Sequence, residues 1–327
     1  MQRIYLDQNM WIYLARARKR QGDLPRYQDV LTLAEAGVEA GLISFPLSSI
    51  HYIETNNRRP WERRQDLAQT MASISRFHAI APFTAVVPPE IDRALKSMFD
   101  VSIPPRSVQV FGIGFQHAMN RPFPVFEMPA DAPVSREFRC AFNDAVVKST
   151  EWVMLSGLPP ELEVDESEFD KEQREVGNRL ASEQERLRLL RREGGWHSGE
   201  RSKRVAMAAT MIGWRDELTE AMARVGLEFD DLQALGRAGL TDLIESIPTL
   251  HVASELVRQR EAARDTPWTR NDVNDVFALS IAIVHCDVVV TELQWVDLAT
   301  RSKLHERYET VLLKDLATLG PHLARSH

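Results

Sequence analysis

Four stretches of the 327-residue chain place carboxylates where they could do chemistry. Asp7 directly follows the apolar run Arg3–Leu6, and Glu54 lies one to two turns into a helix predicted after Leu42–Leu47. Asp272 and Asp275 sit three apart at the start of an apolar helix, so both project to the same side. Glu292 follows the run Val288–Thr291 and stands beside Thr291. An acid at a single helix start is ordinarily an N-cap or a partner of the helix dipole. Carboxylates that converge from separate elements repel one another unless a cation neutralises them. Oxygen donors without His or Cys select a hard divalent ion, Mg2+ or Mn2+. Such an ion activates water and stabilises the departing oxygen of a phosphodiester, so the chemistry expected is phosphodiester hydrolysis.

The acids need elements to carry them, and both ends of the chain supply strand–helix alternation. Near the amino end the pattern predicts a strand Arg3–Leu6, helices Trp11–Arg20 and Tyr27–Ala40, and a strand Leu42–Leu47. A helix Ser48–Asn56 follows, with Ser48 or Ser49 as N-cap, then a helix Gln65–Phe77 and a short strand Ile80–Val87. Near the carboxyl end the pattern predicts a helix Val273–His285, a strand Val288–Thr291, a helix Trp295–Thr300 and a strand Thr310–Leu313. Unbroken β-branched runs between helices argue for a parallel sheet covered on both faces. Its carboxyl edge is the usual ligand edge of such sheets.

The middle reads differently. Pro88–Pro133 is proline-rich and predicted irregular, Glu161–Glu193 is the most charged stretch, and Ser202–Val225 reads as a second long helix. The two charged stretches read as a solvated helical hairpin.

The segments IYLDQNMWIYLA, FPLSSIHYIET and NDVNDVFALSIAIVHCDVVVTELQW, in that order, resemble the PIN-like nuclease domains. The last is the most specific, with an acidic helix start and then an apolar strand ending in Thr and an acid. The resemblance covers about the first 85 and last 75 residues. It implies an α/β fold, a PIN-like three-layer α/β/α core with a central parallel sheet, interrupted by a large mainly helical insertion. The core would be 1–87 with 250–327, and the insertion 88–249. It further implies Asp7, Glu54, Asp275 and Glu292 as metal-binding acids, with Asp272 an auxiliary ligand or the alternative to Asp275. Thr291 and Ser48 would match the polar residues that position water or a phosphate. The fourth acid is Glu where the family commonly has Asp. The implied activity is Mg2+- or Mn2+-dependent cleavage of single-stranded RNA, by an endoribonuclease.

Beside Glu54, the sequence NNRRPWERRQD clusters Arg58, Arg59, Arg63 and Arg64. These suit phosphate, which arginine pairs bidentately, and Trp61 could stack a base. The competing reading is a solvated helix face paired with Glu62 and Asp66. Arg186–Arg192 and Arg201–Arg204 form a second basic patch, or else pair with Glu183, Glu185 and Glu193. His51, one turn before Glu54, reads as a packing or capping histidine ahead of a general acid or base. His285 reads as a partner of its own helix end.

Composition bounds these readings. Hydrophobic residues are 44% and charged residues 27%, which supports a sizeable core. The net charge of −7 argues against a generic basic nucleic-acid coat but not against an acid-rich metal site. Cys140 and Cys286, far apart, fit neither a zinc site nor a disulfide framework, and a reducing cytoplasmic location is expected. No apolar run approaches the roughly 20 residues a membrane span needs. The expected partner is RNA, with no membrane, and the insertion offers a surface for a second copy or a regulatory partner. Two rivals stand beside the nuclease: a catalytically degenerate PIN-like scaffold that binds RNA or protein, and a phosphohydrolase using Asp7 as nucleophile. The second is the weaker, because Asp7-Gln8-Asn9 has no acid two residues on.

Overall fold

The computed structural model describes residues 1–19, 25–102, 106–122, 126–162, 168–196, 199–263 and 266–324. Strand β1, Gln2–Leu6, is followed by helix α1, Gln8–Arg18, and helix α2, Gln28–Glu39. Arg20, the expected last residue of the first helix, lies outside the described residues. Gly41, at φ +70°, turns the chain out of α2. The Leu42 N–H then bonds the Gly37 carbonyl at 3.0 Å, and the Gly41 N–H bonds the Val38 carbonyl at 3.1 Å. Strand β2, Ile43–Ser44, comes next, with helices α3, Ser49–Asn56, and α4, Trp61–Ser75.

Strand β3, His78–Ile80, shares only Ile80 with the expected strand Ile80–Val87, whose residues from Phe83 on are helical. After it the chain enters helix α5, Phe83–Phe99, which runs through Pro88 and Pro89. Two prolines remove two N–H donors and ordinarily break a helix. Here Val86, Val87, Ile91, Ala94 and Leu95 are all buried, and packing outweighs the local cost. The segment expected to be irregular also holds strand β4, Phe111–Ile113, and helix α6, Gly114–Met119.

Helices α7, Arg136–Ser156, and α8, Glu168–Glu193, follow. The expected second long helix is two, α9, Gly199–Gly213, and α10, Arg215–Ala223, because the chain breaks at Gly213-Trp214. Nor is α8 solvated throughout: Arg188 and Arg191 are buried. Arg188 grips Glu185 with bonds of 2.8 and 2.6 Å. The remaining helices are α11, Phe229–Ala234, α12, Gly236–Glu245, α13, Pro248–Ala263, and α14, Arg270–His285. Arg191 pairs with buried Glu261 of α13. The chain closes with strand β5, Val288–Val290, helices α15, Leu293–Arg301, and α16, Leu304–Arg307, strand β6, Val311–Leu313, and helix α17, Gly320–Ala324.

The arrangement is α/β: mainly helical, with short parallel strands near both ends of the chain. Strand β1 pairs in parallel with β2, Gln2 opposite Ile43 and Arg3 opposite Ser44. Strand β5 pairs in parallel with β6, Val288 opposite Val311 and Val290 opposite Leu313. The three valines of β5 are fully buried, as a strand covered on both faces requires. Strands β3 and β4 form a separate antiparallel pair.

The chain divides into two units. The first comprises Met1–Ala81, Phe111–Glu166 and Asp315–His327; the second comprises Pro82–Val110 and Ser167–Lys314. Residues 88–249, expected as one insertion, contribute to both. No described helix is long and apolar enough to cross a membrane. Cys140, exposed, and Cys286, buried, form no disulfide.

Candidate functional site

In the first unit, Asp7 is the N-cap of α1 at the carboxyl end of β1. Its backbone carbonyl accepts the N–H groups of Met10 and Trp11 at 2.9 and 3.2 Å. Its side chain makes no capping hydrogen bond. Helix α3, which carries Glu54, is fastened to this end of β1 by His51. The Nε2–H of His51 donates to the Leu6 carbonyl at 2.8 Å, while Nδ1 accepts the Ser48 N–H at 2.9 Å. Complete burial pushes the His51 pKa down to about 4, against the opposing bond to Leu6. His51 is therefore a neutral structural pin. A second tie joins the neighbours of the two acids: Gln8 Nε2 donates to Thr55 Oγ1 at 3.0 Å. Asp7 and Glu54 are both half-buried.

Ser48, expected to position water or phosphate, is buried as the N-cap of α3 in a capping box with His51. Tyr5 Oη lies 3.4 Å from its hydroxyl.

The basic stretch also divides by role. Arg64 is 1% exposed, and its guanidinium donates to the Asn56 carbonyl at 2.8 Å and the Leu158 carbonyl at 2.9 Å. It holds backbone and is closed to a phosphate. Arg58 is half-buried, and Arg59 and Arg63 are exposed. Asp66, a proposed partner for these arginines, pairs instead with Lys19 of α1.

In the second unit the two aspartates of α14 separate cleanly. Asp272 closes a capping box with Thr269: Oδ2 accepts the Thr269 N–H at 2.8 Å and its hydroxyl at 2.6 Å. Arg260, 1% exposed, clamps both oxygens at 3.0 and 2.9 Å and lies over the Trp268 ring. Burial would raise the Asp272 pKa, but the bonds from Arg260 and Thr269 outweigh it and hold the carboxyl below its usual range.

Asp275, one turn on, is held differently. Its Oδ2 accepts the indole Nε1–H of buried Trp295 at 2.9 Å. That bond joins α14 to α15, whose N-cap is Glu292 at the carboxyl end of β5. Glu292 is exposed and, like Asp7, makes no side-chain capping bond. Thr291 is buried, and its N–H continues the strand pairing to the Leu313 carbonyl at 3.0 Å. His285, at the end of α14, lies 3.6 Å from the buried carboxylate of Glu90.

Two predicted acids thus belong to the first unit and three, with Thr291, to the second. Among the described residues no group of three or more His, Cys, Asp or Glu is placed to hold a metal ion. As donor chemistry, the carboxylates of Asp7, Glu54, Asp275 and Glu292 suit Mg2+ or Mn2+. Asp272 does not fit that set, because both its oxygens are already taken.

Trp295 and Arg260 are the positioning residues that sequence reasoning passed over. Trp295 closes the segment ending TELQW, where the sequence marks it only as the start of a helix. Nothing in the sequence marks Arg260 as the partner of an acid twelve residues on. A cavity of about 270 Å3 in the first unit, lined in part by Phe115, Thr150, Glu151 and Met154, includes none of the predicted acids. Its Glu151 accepts the Phe115 N–H at 2.8 Å and lies so close to Gly114 that a Cβ there would meet Oε1 at 2.2 Å. No family model, curated protein or solved structure gives a significant match to this chain.

Proposed function

We propose that the chain is a metal-dependent, PIN-like nuclease acting on phosphodiester bonds, an endoribonuclease of single-stranded RNA. One observation carries the reading. Asp7 directly follows β1 and Glu292 directly follows β5, so both acids stand at the carboxyl ends of parallel strands, the usual ligand edge of such sheets. Asp272, by contrast, lies at N3 of α14, where its carboxylate closes a capping box with the N-cap Thr269.

In this reading Asp7, Glu54, Asp275 and Glu292 hold Mg2+ or Mn2+. When bound, the ion supplies Lewis acidity toward phosphate oxygen and a more acidic water. The chain's own contribution is orientation. His51 and the Gln8–Thr55 bond fix α3 against the end of β1, and Trp295 fixes Asp275 against α15. Arginines near Glu54 neutralise substrate phosphates.

The test is incubation of purified protein with end-labelled RNA and DNA strands, with Mn2+ or with EDTA. Mn2+-dependent internal cuts in RNA, lost in both Asp7→Asn and Asp275→Asn, are expected. Undiminished cutting by either variant would defeat the site assignment. A second reading, a PIN-like scaffold that binds without cleaving, is favoured by the lack of a three-residue metal group among the described residues. Any chelator-sensitive turnover that is lost in Asp7→Asn would exclude it.

A further inference from the structure

Helices α1 and α4 pack together in the first unit, and the Lys19–Asp66 ion pair fixes their register. Arg16 lies three residues before Lys19, and Arg63 three before Asp66, so each shares a helix face with one member of that pair. Arg58 sits at the turn between α3 and α4, where its N–H bonds the Thr55 carbonyl at 3.1 Å. Partial burial lowers the Arg58 pKa, and the positive charges of Arg16 and Arg63 lower it further. Arg58 therefore feels the charges of both Arg16 and Arg63. Among the described residues the side chains of Arg16, Arg58 and Arg63 make no hydrogen bond or ion pair, although Glu62 is next to Arg63 in sequence. Asp66, the acid best placed to neutralise them, is engaged by Lys19.

Three like charges brought together with no ion-pair partner among the described residues cost electrostatic free energy that a multivalent anion recovers. A backbone phosphodiester brings one negative charge. A terminal phosphate monoester brings nearly two and three equivalent acceptor oxygens, which suits several guanidiniums at once.

We propose that Arg16, Arg58 and Arg63 form a binding site for a phosphate dianion, the terminal phosphate of an RNA strand. Only the identity of the strand rests on the nuclease reading; the anion site stands on the arginines. Arg16 was not among the residues the sequence suggested, and Arg59 is not needed.

Binding measured in EDTA separates this site from cleavage. Fluorescence anisotropy would compare short RNA strands of one sequence bearing a 5′-phosphate, a 3′-phosphate or only hydroxyl ends. One phosphorylated strand should bind about tenfold more tightly than the hydroxyl strand, and the tighter arm names the end recognised. Arg16→Ala and Arg63→Ala should each remove most of that preference, while Arg16→Lys retains part of it. Each alanine should also make the plot of log affinity against log salt shallower by about 0.7. Equal binding of all three strands, or an unchanged preference in Arg16→Ala, would overturn the proposal. Inorganic phosphate that displaces the strand at equal concentration would reassign the site to the free ion and overturn the RNA assignment. A protein that shows the preference but never cuts defeats the nuclease and leaves this site standing.

Discussion

The indole N–H of Trp295 donates to Oδ2 of Asp275 at 2.9 Å, from a side chain that is 1% exposed. The bond leaves Oδ1 as the oxygen of Asp275 that Trp295 does not engage, and it fixes the rotamer of an acid at a helix start. Trp295→Phe keeps an aromatic ring but deletes the donor. Its expected cost is about 1–2 kcal/mol in stability, for the lost bond and the smaller ring. Cleavage should fall by more than tenfold under conditions where the variant remains folded. Loss of stability with full activity would mean that Trp295 is core alone.

Asp272 and Asp275 should part company on mutation. Removing the Asp272 carboxylate takes from the buried Arg260 guanidinium the acid it clamps, a loss of about 3 kcal/mol. Asp272→Ala should therefore lower the urea midpoint strongly. Asp275→Asn should abolish cleavage with little change in that midpoint. The reverse pattern would exchange the roles given to the two aspartates.

His51 links stability to pH. Its folded pKa, about 4, lies below the ordinary value of 6.5, so the unfolded chain binds the proton more readily. Stability from this residue is complete above pH 6.5 and declines as pH falls from there toward 4, by about 3 kcal/mol in all. His251, buried and also lowered to about 4 by burial and by Arg307, acts in the same window and the same direction. Melting curves between pH 7 and 4.5 should show a steeper loss in the natural protein than in His51→Gln, which keeps a donor for the Leu6 carbonyl. Parallel curves would remove His51 from the account.

The Arg191–Glu261 pair is buried on both sides. Burial raises the Glu261 pKa, and Arg191 only partly opposes it. Such a pair returns little net stability, yet breaking it strands a charge. Arg191→Met and Glu261→Leu should each cost about 3 kcal/mol, and the double variant should recover most of that loss. Additive losses in a double-mutant cycle would show that the two side chains do not act as a pair.

Elements with a strong local signature were legible in the sequence. The valine run of β5, the apolar helix α14 and the Ser48 cap all fall where composition and spacing put them. Helix α5 was not legible, because two prolines outweigh any local score and only burial of Val86, Val87, Ile91 and Leu95 explains it. Among the acids, the sequence could mark Asp272 and Asp275 as neighbours on one helix face. It could not say which one caps, since that depends on Arg260 from another helix. Arg16 was equally invisible: its relation to Arg58 and Arg63 exists only once α1 lies against α4.

Residues 315–324 belong to the first unit, where α17 packs on α2 and Tyr27 Oη donates to Asp315 at 3.3 Å. A ribosome must therefore make the whole second unit before the first can close. At usual elongation rates the interval from Ala81 to Asp315 lasts on the order of 10 to 50 s. Throughout that time α2 lacks the surface that later covers it. Strand β1, which leads into Asp7, is made before the second unit, and the unit it belongs to closes only after the second unit is complete.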